Sequence, residues 1–329
     1  MKDTVRVGCI GTGGIGRHHL SQLKRMEGVE IVALHDVSEE AVQSAAAEFG
    51  GRVYPDHRTL IEREDLDALY ICVPPFAHTD AEILAAQKGI HLFVEKPVAL
   101  TLEKALEIQE AISKAGVLSS VGYSLRYFPA VEPARAFLAD HPIALVACDR
   151  WGGVPGGPTH WWRVMEKSGG QLVEMVTHQI DMIRYLAGEI VEVNARYALR
   201  VLGDLENLTV PDVQIMDFEL ESGAIGYLSC SCALTRGGGV GRMEFLLRDM
   251  ILKFDFSRLV LSPEGIAELP PVPEAGPDID QSFIAAVRTG DASLIKTSYA
   301  DAVRSLDVTL AANRSAAEGR PVKPELVGK

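Results

Sequence analysis

Short apolar runs alternate with segments of helical periodicity over about the first 120 residues. The apolar runs predict strands over 5–10, 30–36, 68–73, 90–95 and 118–123. The segments between them predict helices over 14–26, 39–50, 79–88 and 101–115. Near-continuous apolar strands that are joined by helices indicate a parallel sheet covered on both faces. We therefore predict an N-terminal α/β domain over residues 1–123, a doubly wound parallel sheet of the Rossmann type.

The pattern changes after Tyr123, where strands begin to follow one another without helices between them. A helix over 129–142, a strand over 143–151 and a Gly/Pro-rich loop over 152–160 lead to a helix over 171–186. Strand-like runs at 190–202, 210–220, 224–234, 241–248 and 250–262 and helices at 278–289 and 298–317 complete the pattern. Consecutive strands joined by turns indicate an antiparallel sheet. We predict a second, α+β domain over residues 124–329, with a large, mostly antiparallel open sheet. We expect this domain to serve in substrate binding and oligomerisation. Whether the terminal helix packs back on the first domain stays open.

Charge and cysteine spacing narrow the choice of partners. A net charge of −13 repels phosphate backbones and anionic membrane surfaces. No apolar run is long enough to span a bilayer, and the N-terminal segment lacks the apolar core of a signal peptide. No zinc-type spacing occurs among the cysteines, which predicts reduced structural thiols and no metal site: Cys9, Cys72, Cys148, Cys230 and Cys232. The sequence therefore predicts a cytoplasmic protein that binds a small molecule and neither nucleic acid nor membrane.

The sequence GTGGIG (Gly11–Gly16) matches the pattern G-x-G-x-x-G between a predicted strand and a predicted helix. In such a turn the first glycine permits the tight bend, the second lets the backbone approach a pyrophosphate, and the third allows close packing. The helix N-terminus then binds the phosphates through its N–H groups. We predict that the whole turn contacts a dinucleotide: Gly11, Thr12, Gly13, Gly14, Ile15 and Gly16. A Gly-rich turn without a ligand is the alternative.

Asp36 stands at the end of the second predicted strand. Its carboxylate can accept hydrogen bonds from both ribose hydroxyls of NAD and would repel the 2′-phosphate of NADP. The next residues, Val37 and Ser38, offer no arginine for that phosphate. The sequence therefore favours NAD over NADP as the cofactor.

Two strand ends carry further candidate residues. The strand HLFV is followed by Glu95, Lys96 and Pro97, and the preceding strand ends at 73–75. In an open parallel sheet, ligands bind beyond the carboxyl ends of the strands. We therefore expect Lys96 to lie where the nicotinamide and its substrate meet, with Pro97 fixing the backbone there. A solvated strand end with a Glu95–Lys96 surface ion pair is the alternative.

The predicted helix 171–186 carries three ionisable side chains on one face. Glu174, His178 and Asp181 are spaced i, i+4 and i+7, which places them along one stripe of a helix. Such a stripe would be costly inside an apolar core, so it indicates a functional site. A partly solvated polar edge is one alternative. A metal shared by Glu174 and His178 is another, although Lys96 would repel a divalent cation.

These motifs together resemble the Gfo/Idh/MocA family, the glucose–fructose oxidoreductase and inositol dehydrogenase group. The resemblance rests on the glycine-rich turn followed by His19, on Asp36, on Pro74 and Pro75 followed by His78, and on Glu95, Lys96 and Pro97. Segment 161–188 is similar to the family's second signature, G-G-x-L-x-D-x-G-x-H-x-x-D. Glu174 stands where the family usually has Asp, and Val176 stands where it often has Gly.

The resemblance implies that Lys96 and His178 line a catalytic site for sugars, sugar derivatives or polyols. Oxidation of a secondary alcohol requires a base for the hydroxyl proton, and His has a suitable intrinsic pKa. We predict His178 as the acid/base, Lys96 as an electrostatic clamp and proton partner, and Glu174 as the orienting residue. Which of Lys96 and His178 takes the proton first stays open. Outside the glycine-rich turn, the predicted cofactor contacts are Asp36, Val73, Pro74, Pro75, His78, Glu95 and Lys96.

Aromatic and basic residues near the predicted domain junction are candidate substrate contacts, because indole faces stack on sugar C–H surfaces and Arg can bind hydroxyls or a carboxylate. The predicted substrate contacts are Tyr123, Arg126, Trp161, Trp162, Arg163, Glu174, His178 and Asp181. Packing of the junction is the alternative for the aromatic and arginine residues.

The sequence therefore predicts an NAD-dependent dehydrogenase acting on the CH–OH groups of a sugar, inositol or related polyol. Two alternatives stay open: a glycosidase that keeps NAD bound and acts by transient oxidation, and a non-catalytic dinucleotide-binding regulator. The open sheet of the second domain, together with the resemblance, also predicts a homodimer or homotetramer.

Overall fold

The computed structural model describes residues 3–328, which form two compact units. The first unit extends to Ser124 and includes Pro277–Val303; the second comprises Leu125–Gly276 and the residues from Arg304 onward. Residues 277–303 thus belong with the first unit, whereas the domain division at residue 123 that the sequence suggests would place them in the second domain. The reason is a helix whose Phe283 ring lies 5.7 Å from the rings of both Tyr70 and Phe93 in the first sheet. Periodicity predicts such a helix but not the sheet that it covers.

The first unit is built around one parallel sheet. Its strands are β1 (Val5–Ile10), β2 (Val29–His35), β3 (Arg52–Val53), β4 (Ala68–Ile71), β5 (His91–Val94) and β6 (Ser119–Val121). Its helices are α1 (Gly14–Leu23), α2 (Glu39–Phe49), α3 (His57–Arg63), α4 (Ala81–Gln87), α5 (Leu102–Ala115), α10 (Ile279–Thr289) and the start of α11 (Tyr299–Glu318). The strand order β3-β2-β1-β4-β5-β6 confirms the predicted Rossmann fold. The sequence pattern does not predict β3 and α3, because both are too short to show clear periodicity.

The second unit contains a larger sheet of seven strands. The strands are β7 (Leu145–Trp151), β8 (Ile190–Ala198), β9 (Val213–Leu220), β10 (Ile225–Ser231), β11 (Val240–Leu247), β12 (Met250–Phe254) and β13 (Leu259–Ser262). Its helices are α6 (Val131–Ala139), α7 (Met165–Ser168), α8 (Gln171–Glu174), α9 (Thr177–Ala187) and the rest of α11. The order is β13-β12-β11-β7-β10-β9-β8, and only the pairing of β7 with β10 is parallel among the described strands, which confirms a mostly antiparallel sheet. The single strand predicted over 250–262 is wrong, because Asp255 accepts hydrogen bonds from the N–H groups of Ser257 and Arg258 and closes a turn there.

The two faces of this second sheet differ in exposure. One face is buried in the core of the unit through residues that include Met216, Phe218, Leu228 and Phe245. The opposite face, which we call the outer sheet face, leaves six large apolar side chains between 40% and 56% exposed: Trp151, Val213, Ile215, Ile225, Leu246 and Val260. An exposed apolar surface of this kind is typical of a protein contact site.

All five cysteines are free and buried, in agreement with the predicted structural thiols. Across residues 3–328, no helix combines the length and the apolar character that crossing a membrane requires.

Candidate active site

The glycine-rich turn joins β1 to α1 at the carboxyl end of the first sheet. Gly11 has a φ of +89°, and a Cβ there would lie 2.3 Å from the carbonyl oxygen of Cys72. A Cβ on Gly16 would lie 2.0 Å from the carbonyl oxygen of Gly11. Neither position accepts a larger residue, because the turn is tight and the helix packs closely on the strand, as the motif requires.

Gly13 and Gly14 are different, because a Cβ at either position would meet no atom within 4 Å. Gly13 is the N-cap of α1, and its position carries no side-chain hydrogen bond to the helix. The helix therefore begins with bare backbone beside open space, which fits the pyrophosphate of a dinucleotide. Of the other two residues of the turn, Ile15 is 45% exposed and Thr12 is buried.

Asp36, directly after β2, is hydrogen-bonded to this turn. Its Oδ2 accepts hydrogen bonds from the backbone N–H and the hydroxyl of Thr12 at 2.6 and 3.1 Å, and its Oδ1 accepts one from the Ser38 N–H at 2.9 Å. A carboxylate has roughly four lone-pair positions, and these three hydrogen bonds leave about one of them for a ribose hydroxyl. The neighbouring Val37 is 99% exposed. The position predicted to select the cofactor is thus fixed relative to the pyrophosphate turn.

The chain after β4 forms a turn that a buried pair supports. Val73 and Pro74 are half-buried, and Pro75 begins a short 3-10 helix, Pro75–Ala77. The side chains of His78 and Glu82 are completely buried and hydrogen-bonded to each other through Nδ1 and Oε1. His78 therefore links the turn to α4, and a direct contact of its side chain with the cofactor stays a prediction.

Glu95 and Lys96 follow β5 at the same edge of the sheet. Glu95 is only 5% exposed, so it is not the solvated strand-end carboxylate of the surface ion-pair alternative. Its Oε2 accepts a hydrogen bond from the backbone N–H of Lys96 at 3.0 Å, and the Lys96–Pro97 peptide bond is cis. Glu95 thus fixes the backbone of Lys96.

The Glu95 carboxylate also contacts a buried histidine that the predicted site omits. His19 Nε2 lies 3.0 Å from Glu95 Oε1, and His19 Nδ1 lies 2.8 Å from Oδ1 of Asp280 in α10. Burial alone would lower the pKa of His19, but hydrogen bonds and charges of the two carboxylates outweigh it and raise the pKa from 6.5 to about 10. His19 is therefore an imidazolium at neutral pH.

One sequence signal could have pointed to Asp280. Phe283, Ile284 and Val287 follow it at i+3, i+4 and i+7, so Asp280 lies on the apolar stripe of α10. A carboxylate on such a stripe is buried and requires a partner. The pattern does not identify that partner, because His19 is 261 positions away in the chain.

The signature segment of the second unit is not one continuous helix. α8 ends at Glu174, and α9 begins only after Val176, whose φ of −95° and ψ of 8° lie outside the helical range. The prediction of a single helix over 171–186 is wrong because the N–H groups of both residues after Glu174 donate to the Gln171 carbonyl, which interrupts the regular ladder. His178, half-buried in the first turn of α9, shares a helix face with Asp181 at i+3 but not with Glu174.

Arg126 and Asp181, both predicted to contact substrate, form a buried ion pair in the second unit. Arg126 Nε and Nη2 donate to Asp181 Oδ2 and Oδ1 at 2.8 and 2.6 Å. Their side chains are 3% and 1% exposed, and the guanidinium carbon lies 4.4 Å from the centre of the Tyr185 ring. The pair holds the N-terminal half of α9, which carries His178. A substrate contact by either residue stays a prediction.

The aromatic segment Trp161–Arg163 packs within the second unit. Arg163 is buried and donates from Nη1 to the Glu206 carbonyl at 3.0 Å. Trp162 is 1% exposed and lies in a small apolar cluster with Leu202, Leu208, Val210 and Cys232. These contacts favour the packing alternative for Trp162 and Arg163. Trp161 is half-buried, and Tyr123 of the first unit is 2% exposed.

Taken with the fold, this geometry defines a class of protein. A Rossmann sheet with an open glycine-rich turn, a carboxylate directly after the second strand and a lysine at a strand end is the arrangement of a dinucleotide-dependent oxidoreductase. Among residues 3–328, no group of three or more His, Cys, Asp or Glu side chains is arranged to hold a metal ion.

Comparison with known families identifies the lineage. The model of the oxidoreductase family with an NAD-binding Rossmann fold, GFO_IDH_MocA, matches residues 5–123, and the model of the GFO/IDH/MocA C-terminal domain matches residues 143–247. The chain therefore belongs to the Gfo/Idh/MocA family of oxidoreductases, and residues 5–123 are the family's NAD-binding domain. The resemblance predicted from the sequence motifs is confirmed.

Individual relatives are similar over much or all of the chain. The scyllo-inositol 2-dehydrogenase (NAD(+)) of Bacillus subtilis (strain 168) is 27% identical over 98% of this chain and 97% of the relative. The inositol 2-dehydrogenase 3 of Saccharopolyspora erythraea is 34% identical over 67% of this chain and 64% of the relative. A solved structure of levoglucosan dehydrogenase with NADH and levoglucosan matches 98% of this chain and 100% of that chain with a TM-score of 0.84 at 22% identity, and so shows the shared fold.

Proposed function

We propose that the protein is an NAD-dependent dehydrogenase that oxidises a secondary alcohol of a sugar, inositol or related polyol, or reduces the matching ketone. The observation that carries the proposal is Lys96, which Glu95 holds at the carboxyl edge of a dinucleotide-binding sheet. The names of the two inositol dehydrogenases similar to this chain support the substrate class. A net charge of −13 and five free, buried cysteines support a small-molecule substrate and a cytoplasmic location.

The described residues fit NAD in two places. The bare backbone at Gly13 and Gly14 suits the pyrophosphate, and Asp36 suits the adenosine ribose. When bound, NAD would accept a hydride from the carbinol carbon of the substrate. In this proposal His178 takes the hydroxyl proton on its imidazole, and the Lys96 ammonium stabilises the developing alkoxide.

A screen of sugars and polyols tests this function. We expect NADH absorbance to rise with at least one secondary alcohol when NAD is supplied, and a slower rise with NADP because the Asp36 carboxylate repels the 2′-phosphate. Cleavage of a glycoside without net NADH would support the glycosidase alternative instead. Faster turnover with NADP would contradict the cofactor choice.

The Asp36→Ser/Val37→Arg double variant isolates the residue behind this preference. We expect NAD affinity to fall about tenfold or more, because hydrogen bonds to a charged group are lost, and NADP affinity to rise. The measurement is a fluorescence titration with each cofactor. Glu40→Ser removes an exposed charge in the first turn of α2 and is expected to change neither affinity.

We also propose that two copies associate through the outer sheet face. Its six exposed apolar side chains share this face with polar groups such as the Arg242–Asp149 ion pair, and isologous contact would cover the apolar side chains on both copies. Light scattering is expected to give at least twice the chain mass of 35.6 kDa at micromolar concentration. A mass near 35.6 kDa would contradict the proposal.

Two matched substitutions test whether the contact lies on that face. Ile225 is 56% exposed on the outer sheet face, and Val201 is 64% exposed after β8. Ile225→Glu is expected to shift the mass toward a single chain because it puts a charge into an apolar contact. Val201→Glu, which adds the same charge outside the sheet, is expected to leave the mass unchanged.

A further inference from the structure

Three buried ionisable side chains from distant parts of the sequence form a line in the first unit, which we call the His19 relay (Glu95, His19 and Asp280). Their residues are 5%, 3% and 2% exposed. His19 Nε2 lies 3.0 Å from Glu95 Oε1, and His19 Nδ1 lies 2.8 and 3.0 Å from the two carboxylate oxygens of Asp280. A neutral imidazole has one N–H and could donate to only one carboxylate, whereas an imidazolium donates to both. Two ionised carboxylates that face the two ring nitrogens therefore favour a protonated ring.

The described side chains around the His19 imidazole carry no positive charge that could balance the two carboxylates in its place. The rings beside it are those of Phe93, Tyr70 and His18, and the Cys72 thiol interacts electrostatically with the Glu95 and Asp280 carboxylates. Burial raises the pKa of the Tyr70 phenol, and a hydrogen bond with Cys9, followed by burial, raises the pKa of the Cys72 thiol. Both groups are thus neutral near pH 7, and the His18 ring is exposed. His19 is thus a buried cation that lies between the two carboxylates of the relay and neutralises part of their charge.

The relay ends at the backbone of Lys96. Glu95 directs Oε1 to His19 and accepts the Lys96 N–H on Oε2 at 3.0 Å. Gly122 lies directly against this carboxylate, since a Cβ there would be 2.3 Å from Oε1. The carboxylate is therefore confined between an imidazolium, a peptide N–H and a backbone that leaves no room for a side chain.

We propose that the His19 relay positions Lys96: it holds the Lys96 peptide in one orientation and so fixes the direction in which the ammonium leaves the strand end. The inference rests on the proposed function, because it takes Lys96 as the group that stabilises the alkoxide. His19 and Asp280 act through Glu95 and do not touch the substrate.

Amide hydrogen exchange of Lys96 in the ligand-free protein tests the positioning without activity. In protein labelled with 15N-lysine, His19→Gln and Asp280→Asn are expected to accelerate exchange of the Lys96 amide about tenfold or more, because Glu95 no longer contacts an imidazolium that Asp280 holds at its other nitrogen. Asp80→Asn is the matched control, since it disrupts a His57–Asp80 contact of 2.7 Å in the same unit and leaves the relay intact. Unchanged exchange in a folded relay variant would overturn the proposal.

A double-mutant cycle tests the link to catalysis. His19→Gln is expected to lower kcat about tenfold to a hundredfold, as misplacement of a catalytic group does, while NAD affinity stays within about threefold. In a Lys96→Ala background, His19→Gln is expected to lower kcat by less than about threefold, because both substitutions remove the same contribution of Lys96 to catalysis. Equal losses in the two backgrounds would show that His19 does not act through Lys96. If His19→Gln does not fold, Asp280→Asn goes through the same cycle.

Failure of the relay and failure of the proposed function give different results. Absence of NADH formation with every alcohol, together with faster Lys96 exchange in the relay variants, would refute the function and leave the hold on the Lys96 peptide established. Normal NADH formation that depends on Lys96 but not on His19 would refute the relay alone.

Discussion

Lys96→Ala is expected to lower turnover by on the order of a hundredfold or more, which is the usual loss when a group that stabilises transition-state charge is removed. Glu95 fixes the peptide of Lys96 at the sheet edge, so the ammonium is attached to a rigid support. NAD affinity is expected to change by only a few fold, because the glycine-rich turn and Asp36 hold the far end of the cofactor. The measurement is steady-state kinetics with the best alcohol from the screen, alongside an NAD titration.

A surface lysine of the same unit provides the control. Lys104 is 34% exposed and paired with Glu107, so Lys104→Ala is expected to leave turnover unchanged. His178→Ala is expected to resemble Lys96→Ala, and the double variant should lose less than the product of the two single losses because both residues serve one proton transfer. Turnover of Lys96→Ala within a few fold of the parent would contradict the proposed mechanism.

The sequence predicted the first sheet well because its strands are continuous apolar runs and its connections are local helices. The roles of Gly11 and Gly16 also followed from the motif, and the contacts that a Cβ would make at each position agree with them. Periodicity could not predict which residues far apart in the sequence are in contact. The sequence shows that Asp280 lies on the apolar stripe of α10. Its contact with His19, however, depends on where α10 packs, and no local sequence pattern determines the packing position of that helix.

Residue type did not show how four of the candidate substrate contacts are packed, and whether they bind substrate stays a prediction. Arg126, Asp181, Trp162 and Arg163 have side chains suited to sugar recognition, and each was predicted to bind substrate. The structure buries all four and gives each a partner or cluster within the second unit. The break after Glu174 was also hidden, because the residues around it are compatible with a continuous helix and the interruption arises from hydrogen bonds to the Gln171 carbonyl.

Asp181→Asn is expected to destabilise the second unit by about 3–5 kcal/mol, because it leaves the buried Arg126 guanidinium without its counter-charge. Replacing both partners, as in Arg126→Met/Asp181→Leu, should restore part of that loss, since two apolar side chains need no ion pair. Trp151, Trp161 and Trp162 all belong to the second unit, so tryptophan fluorescence during urea unfolding reports on this unit alone.

Arg135 is the matched control for this pair. Its guanidinium carbon lies 4.6 Å from the centre of the Tyr185 ring, much like the 4.4 Å of Arg126, but its side chain is 55% exposed and 4.0 Å from Glu132. Arg135→Ala is therefore expected to cost at most about 1 kcal/mol of unfolding free energy. If Asp181 instead binds substrate, Asp181→Asn would raise KM and leave the unfolding free energy close to that of the Arg135 variant. That result would show that Asp181 contacts the substrate and that the buried ion pair does not stabilise α9.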